Sequence, residues 1–294
     1  MYDTESLNKS LSWNQDDLSR VIEGLNEDGF GVMQSVIPAQ ICDSMIAEFE
    51  KMAEEQISEN TADPLKYSNN INTIAMGQHM VRNVMLRNPE MFMPTIDIAP
   101  VMAVLDAIID DTVILEGSSA NNAVAVDGNY SRLIHIDSNL APADPTNTLD
   151  VVAFLCMSDF TATNGATRIW PKTHKSGIQI HRDPAYKDKV PPGHVELIAP
   201  KGSIAFVLGH TWHQMGENID HTDRWVLLNH YKRWWIKPST DYTKCGPQVF
   251  EQLTDAQKVL LGFNSIPPKD QVLRYKTLIK VDEIPGGYEE ALSN

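Results

Sequence analysis

Apolar positions along the chain keep a helical period at first, switch to a strand-like one, and return to the helical period near the end. In DDLSRVIEGLNEDGFGVMQSVIP, Leu18, Val21, Ile22 and Leu25 recur at helical spacing. Asp28 and Gly29 then break the helix ahead of an apolar run that ends at Pro38, which predicts helix, turn, strand. A second helix follows, with Ile41, Met45, Phe49 and Met52 on one stripe and Glu48, Glu54 and Glu55 off it. Residues 58 to 75 are polar and poorly periodic and predict a long loop. From about residue 112 to 235 come the short runs TVILEGS, NAVAVDG, SRLIHIDS, DVVAFLCMSDF, GATRIW, VELIAP, SIAFVLG and RWVLLNHY, punctuated by Gly, Pro, Asn and Asp. In GPQVFEQLTDAQKVLLGF, Phe250, Leu253, Ala256, Val259 and Leu260 restore a helical stripe, and a Pro-rich end follows. Short strands with helices gathered mainly before them predict a β-sandwich or barrel with helical flanks. There is no internal repeat or low-complexity segment, so the chain reads as one domain, 1–294. Its parts are a mainly helical flank over 1–111, a strand-rich core over 112–235 and a helical extension over 236–294.

Composition narrows the function classes. The 294 residues, 42% hydrophobic and 21% charged, leave room for a buried active site. Acidic residues number 39 against 24 basic ones, a formal charge of -15, so a nucleic-acid backbone is repelled and no nucleic-acid partner is expected. Cys42, Cys156 and Cys245 are widely spaced with no Cys-x-x-Cys pair, which predicts neither a disulfide framework nor a thiolate zinc site and fits a reducing cytosol. The N-terminal stretch lacks a basic start and an apolar run, and no later segment reads as the ~20 apolar residues of a membrane span. The expectation is a cytoplasmic protein without a membrane partner, and the sequence leaves a homodimer open. The terminal ALSN is not a peroxisomal address of the Ser-Lys-Leu type.

Candidate chemistry begins in RLIHIDSNL, residues 132 to 140. In a strand, residues i and i+2 share a face, so Leu133, His135 and Asp137 lie on one side and Ile134 and Ile136 on the other. His135 and Asp137 can then bind one ion, an imidazole nitrogen and a carboxylate oxygen suiting a borderline divalent metal. A second histidine would complete the two-histidine, one-carboxylate face of non-haem Fe(II) oxygenases. Alone, so short a motif is explained at least as well by an ordinary hydrogen-bonded pair. GSIAFVLGHTWHQMGENIDHTDR, residues 202 to 224, offers His210, His213 and His221, and composition does not choose among them. An enzyme that chelates its metal with 2-oxoglutarate also needs a cation for the distal carboxylate, a task suited to arginine's planar, permanently charged fork.

Together these residues resemble the phytanoyl-CoA dioxygenase family of Fe(II)/2-oxoglutarate oxygenases. The family pattern is His-x-Asp, an Asn-Gly and Pro-Gly-Ser-His segment, a glycine-led strand ending in the distal histidine, and an arginine eleven residues later. In this chain those elements look like His135-Ile136-Asp137, NGATRIWPKTHK from Asn164 to Lys175, Gly202 leading to His213, and Arg224. Asn218, five residues after His213, also matches, and the resemblance picks His213 over His210. The opening around residues 17 to 37 is similar to the family's, and FEQLTDAQKVLLGF looks like the tail of its natural-product-tailoring members, so the resemblance covers nearly the whole chain.

The resemblance implies a mainly β fold with flanking α, its core over 112–235 a double-stranded β-helix (jelly roll, cupin-like). It implies Fe(II) on His135, Asp137 and His213, with 2-oxoglutarate and O2 as cosubstrates and Arg224 on the distal carboxylate. Thr167 matches a position whose hydroxyl contacts 2-oxoglutarate in some relatives, although a strand threonine is as readily a strand former. Arg132 corresponds to a polar position that reaches the oxo-acid in some tailoring members, while alternation points it to the opposite face. Ser203 departs from the family's aspartate, and Lys172 and Thr173 replace the Gly-Ser before His174, which is expected to order its turn. Retention of Asp137 disfavours halogenation, where related enzymes carry a small residue.

The implied reaction oxidises an aliphatic carbon of a small or medium-sized metabolite, by hydroxylation, desaturation, epoxidation or rearrangement, and releases succinate and CO2. The tail resemblance and the missing peroxisomal address favour natural-product biosynthesis over acyl-CoA hydroxylation. A zinc enzyme on a similar barrel or a non-catalytic binding barrel would leave the spacing of Arg224 or the full ligand set without a purpose. Arg168, Lys172, Lys175, Arg182, Lys187 and Lys189, against only Asp183 and Asp188, read equally as a solvated loop or as a guide for an anionic substrate. His181, His194, His210, His221 and His230 read as loop or supporting residues. Trp170, Trp212 and Trp225 suit core packing, with a pocket wall as the other reading.

Overall fold

The computed structural model describes residues 3–62, 78–109, 111–125, 133–138, 147–187 and 189–266. Its larger sheet runs in the order β1 (Phe30–Met33), β7 (Ile204–Leu208), β4 (Asp150–Cys156), β9 (Arg224–Arg233), β3 (Val113–Ala123), β2 (Gln78–Arg82). The smaller is β6 (Val195–Glu196), β5 (Arg168–Ile169), β8 (His213–Gln214). All pairings are antiparallel, the two-sheet jelly roll with flanking helices that was expected.

Local signals set the helices. Helix α1 spans Thr4–Ser10, and α2 spans Gln15–Asp28. At the start of α2 the Asn14 side chain accepts from the Asp16 and Asp17 amides while the Asp17 carboxylate accepts from the Asn14 amide, a reciprocal cap. Gly29 ends it in the left-handed region at φ 86°, turning the chain straight into β1. A Cβ on Gly29 would lie 2.4 Å from Thr211 Oγ1 and 2.5 Å from His174 Nδ1, so buried His174 packs against the turn. Helix α3, Ala39–Ala62, buries Met45, Phe49 and Met52, with Phe49 against Trp225 at 5.4 Å between centroids. It runs into the segment expected to be a loop because its last turns are tied down: Gln56 donates to the Met80 carbonyl and accepts from the Arg82 amide, and Glu59 pairs with Arg87 at 2.6 Å. The rest of that predicted loop, from residue 63 on, lies outside the described residues.

Alternation divides the large sheet between two cores. Trp225, Leu227 and Tyr231 of β9, with Val151, Ala153 and Leu155 of β4, face the helices. Val226, Val152, Phe154, Cys156, Ala205 and Val207 face Ala166, Ile169 and Leu197 across the inter-sheet space. Strands buried on both faces read as unbroken apolar runs, which is why SIAFVLG and DVVAFLC carry no polar interruption.

Some expectations change. Among its described residues, 122–125, NAVAVDG starts no separate strand: β3 continues through Ala123, residues 126–128 lie outside the described residues, and the register shift between Leu115 and Gly117 makes Glu116 a bulge. The tail helix divides into Pro247–Gln252 and Asp255–Leu260, because Thr254 and Gln257 form a new capping box after Leu253 turns extended. Ala256 is consequently exposed, and Gln257 is buried with its amide donating to Thr4 Oγ1 at 3.0 Å. Pro89–Ile108 is, against expectation, long and apolar enough for a membrane span by length and composition. It breaks at Met93–Thr95 and Ile98, and Phe92, Met93, Ile96, Val101 and Val104 enter the core. Cys42, Cys156 and Cys245 are buried and unbridged.

Candidate metal centre

His135 and His213 exchange both backbone hydrogen bonds at 3.0 Å, an isolated antiparallel bridge that extends the small sheet. The run SRLIHIDS is therefore a single bridge rather than a full strand among its described residues. Opposed residues of such a pair project to one face, and the two imidazole centroids lie 4.2 Å apart. Asp137 joins them, its Oδ1 3.6 Å from His135 Nε2 and its Oδ2 3.5 Å from His213 Nε2. Ile134 and Ile136 turn the other way and are buried with Trp170, Ile180 and Trp212, the alternation read from the sequence.

The arrangement fits a metal ion better than an ion pair. One ligand atom from each residue falls within 4.8 Å of the others. The carboxylate–imidazole separations exceed the about 2.7–3.2 Å of good hydrogen bonds, so the three groups converge without closing on one another. Each ring is oriented from behind, His135 Nδ1 against the Leu133 carbonyl at 3.1 Å and His213 Nδ1 against the Thr211 carbonyl at 3.0 Å. Those acceptors favour the proton on Nδ1 and leave each Nε2 lone pair facing Asp137. Burial pushes the Asp137 carboxyl upward, but Lys232 and the protonated forms of His213, His230 and His135 outweigh it and hold the pKa below the usual carboxylate range. Asp137 is thus held ionised, the form that a cation requires. The His213 side chain is buried and that of His135 is 40% exposed, so the cluster opens on the His135 side.

Arg224 begins β9 and is buried. Its Nη2 donates to the Gly165 carbonyl at 2.7 Å, its guanidinium carbon sits 4.4 Å from the Phe160 ring centroid, and its amide donates to Asn122 Oδ1 at 2.9 Å. Gly165 makes this approach possible: it lies at φ 86°, and a Cβ there would come within 2.7 Å of Ala123 Cβ.

Asn218 explains the fixed distance from His213 to Arg224. Its amide donates to the Ala123 and Thr222 carbonyls, each at 2.7 Å, and its oxygen accepts from the His221 amide at 3.1 Å. One bond ties the intervening loop to the end of β3 at Ala123, and the other two close the loop on itself. Asn218→Ala should cost on the order of 2 kcal/mol in urea denaturation, because buried carbonyls lose their donor; a loss within error of zero would show that the loop is held by other contacts.

Thr167 is buried two residues before Ile169, whose register partner is His213, and its carbonyl accepts from the Leu197 amide at 2.8 Å. Arg132 lies outside the described residues. His210 and His221 stay outside the three-residue cluster, as do His174, His181, His194 and His230. Trp225 is core, while Trp170 and Trp212 pack behind the small sheet. The basic stretch runs over that same rear side, where Ile178, Ile180 and Tyr186 cover Ile134 and Ile136. Sequence reasoning did not find Phe160, the Gly165 carbonyl or Asn122 as partners of Arg224. Each contact joins positions far apart in the chain, and no local signal marks them.

The sequence profile of the family described as phytanoyl-CoA dioxygenase (PhyH) matches residues 25–225. Dioxygenase andF of Emericella variicolor is 26% identical over 144 residues, 48% of this chain and 47% of that protein, so the match spans about half of that relative's length. HygX from Streptomyces hygroscopicus, solved with nickel and 2-oxoglutarate bound, aligns at a TM-score of 0.56 and 14% identity over 77% of this chain and 89% of its own. The epimerase SnoN, solved in complex with Fe3+, alpha ketoglutarate and nogalamycin RO, aligns at 0.53 and 16% identity over 75% of this chain and 85% of its own. At such identities these two likenesses are of fold.

Proposed function

Since this chain belongs to the phytanoyl-CoA dioxygenase family of Fe(II)/2-oxoglutarate oxygenases, we propose that it oxidises an aliphatic carbon of a small or medium-sized metabolite in natural-product biosynthesis. The oxidation is a hydroxylation, or a desaturation, epoxidation or rearrangement. The observation that carries this reading is the convergence of His135, Asp137 and His213, with Arg224 buried at the start of β9. The two Nε2 atoms and the Asp137 carboxylate would hold Fe(II) and leave a face for 2-oxoglutarate, O2 and substrate. Iron with 2-oxoglutarate supplies O2 activation coupled to release of succinate and CO2. The chain's own part is positioning. The Leu133 and Thr211 carbonyls orient the imidazoles, and Arg224 grips the distal carboxylate of the oxo-acid. Phe160 and the apolar inter-sheet core keep water away from that grip.

HygX and SnoN, crystallised with the oxo-acid, support the cofactor set, and SnoN's place in nogalamycin biosynthesis supports a tailoring role. Anaerobic addition of Fe(II) and 2-oxoglutarate should develop the weak visible charge-transfer band of the chelate, and its absence would remove the oxygenase reading. Substrate class is tested by screening a metabolite library for stimulated succinate release, with mass spectrometry of each hit for a gain of one oxygen or a loss of two hydrogens. Turnover of a long-chain acyl-CoA in preference to every free metabolite would replace the tailoring role with acyl-CoA hydroxylation.

A further inference from the structure

Strand β9 carries a second polar group beyond the residues assigned above. Its alternation places Arg224, Val226, Leu228, His230 and Lys232 on the face turned toward the small sheet. At ~3.3 Å per residue, His230 stands about 20 Å along the strand from Arg224, too far for one short oxo-acid to reach both. This end of β9 flanks the metal centre: Lys232 is in register with Asp150, the Asp150 carbonyl accepts from the Gly209 amide at 3.0 Å, and the Gly209 carbonyl accepts at 2.9 Å from the amide of Ser138, next to Asp137. Here the space between the sheets is not filled: Val226 is buried, whereas Leu228 and His230, and Ser119 and Gly117 opposite them on β3, are partly exposed.

The charges of this wall compensate one another. Lys232 Nζ lies 2.5 Å from Glu116 Oε2, with side-chain exposures of 4% and 14%. Glu116 reaches that position because it is the bulged residue of β3. Asp150, opposite Lys232 on β4, is buried as well, and burial lifts its carboxyl to about 6. An anion entering here would meet two carboxyl groups and a lysine already neutralised. A neutral hydroxyl would meet acceptor oxygens on Glu116 and an imidazole on His230 able to donate or accept. The neighbouring Leu228, and Met80 on the same face of β2, offer apolar contact.

We propose that His230 and the Lys232-held Glu116 form a specificity wall that selects a neutral, hydroxyl-bearing hydrocarbon skeleton over an anionic one. The inference rests on the oxygenase reading for what happens to the bound molecule, but not for the binding itself. The test uses matched alcohol and acid pairs, abietinol with abietic acid and cyclohexylmethanol with cyclohexanecarboxylic acid. Binding is measured by calorimetry on both the metal-free protein and the anaerobic Fe(II)/2-oxoglutarate form. Expected is at least about tenfold tighter binding of an alcohol than of its acid, the scale of one hydrogen bond to a charged acceptor. His230→Phe should reduce that preference to about twofold, and His230→Asn should restore part of it. Glu116→Leu with Lys232→Met, combined with Asp150→Asn so that the carboxyl opposite Lys232 is not left as an orphaned charge, removes the ion pair and should also erase it. Acids binding as well as alcohols, no binding by either member of any pair, or an undiminished preference in His230→Phe would overturn the proposal. If the chelate band fails to form while the metal-free protein still prefers the alcohols, the oxygenase reading falls and the wall stands.

Discussion

Alanine at His135, Asp137 or His213 abolishes succinate formation, with Fe(II) affinity reduced by more than about a hundredfold in each case, while His210→Ala retains measurable turnover. Removing one donor of three leaves a site that cannot close a facial set, a larger loss than the about 10–100-fold that follows when only a supporting hydrogen bond is removed. Asp137→Ala also deletes the negative charge that His213, His230, His135 and Lys232 surround, so cation binding suffers electrostatically as well. His210 provides the control, since it lies in the same β7–β8 connection but outside the cluster. Isothermal titration with Fe(II) under argon, beside succinate assays, checks both halves. A dead His210→Ala paired with an active His213→Ala would reassign the distal ligand.

The choice between those histidines shows where the sequence stops being legible. Helix α2 could be read locally, because Asn14, Asp17 and Gly29 act within one turn of its ends. The shared face of His135 and Asp137 was legible for the same reason: alternation is a local property of extended chain. What singles out His213 is pairing. Its backbone bonds to His135, a contact that spans the whole core and leaves no periodic trace. The resemblance supplied that choice where residue chemistry could not. Glu116 and Lys232 were invisible for a related reason. A bulge shifts parity by one, so a carboxylate that strict alternation would send elsewhere meets the lysine inside the barrel. The divided tail helix is the reverse case: the Thr254–Gln257 cap is written locally in LTDAQ, and it overrides the apolar stripe that runs across it.

Arg224→Ala raises the 2-oxoglutarate requirement about a hundredfold, corresponding to about 3 kcal/mol for a charge-assisted bidentate pair lost from a buried site. Fe(II) affinity should stay nearly intact, because Arg224 is outside the metal cluster. The substitution has a structural cost too. Arg224 donates to the Gly165 carbonyl and packs on Phe160, so alanine leaves a cavity and an orphaned acceptor and should lower the urea midpoint. Two controls separate binding from folding. Arg224→Lys keeps the charge but loses the planar fork, and should raise the requirement about tenfold with a smaller loss of stability. Ethylguanidine added to Arg224→Ala should recover part of the 2-oxoglutarate affinity without restoring the urea midpoint, because the free cation refills the anion site but not its covalent tether to β9. An unchanged 2-oxoglutarate dependence in Arg224→Ala, with the protein folded, would mean that another cation holds the distal carboxylate, and Arg132 is the first to replace.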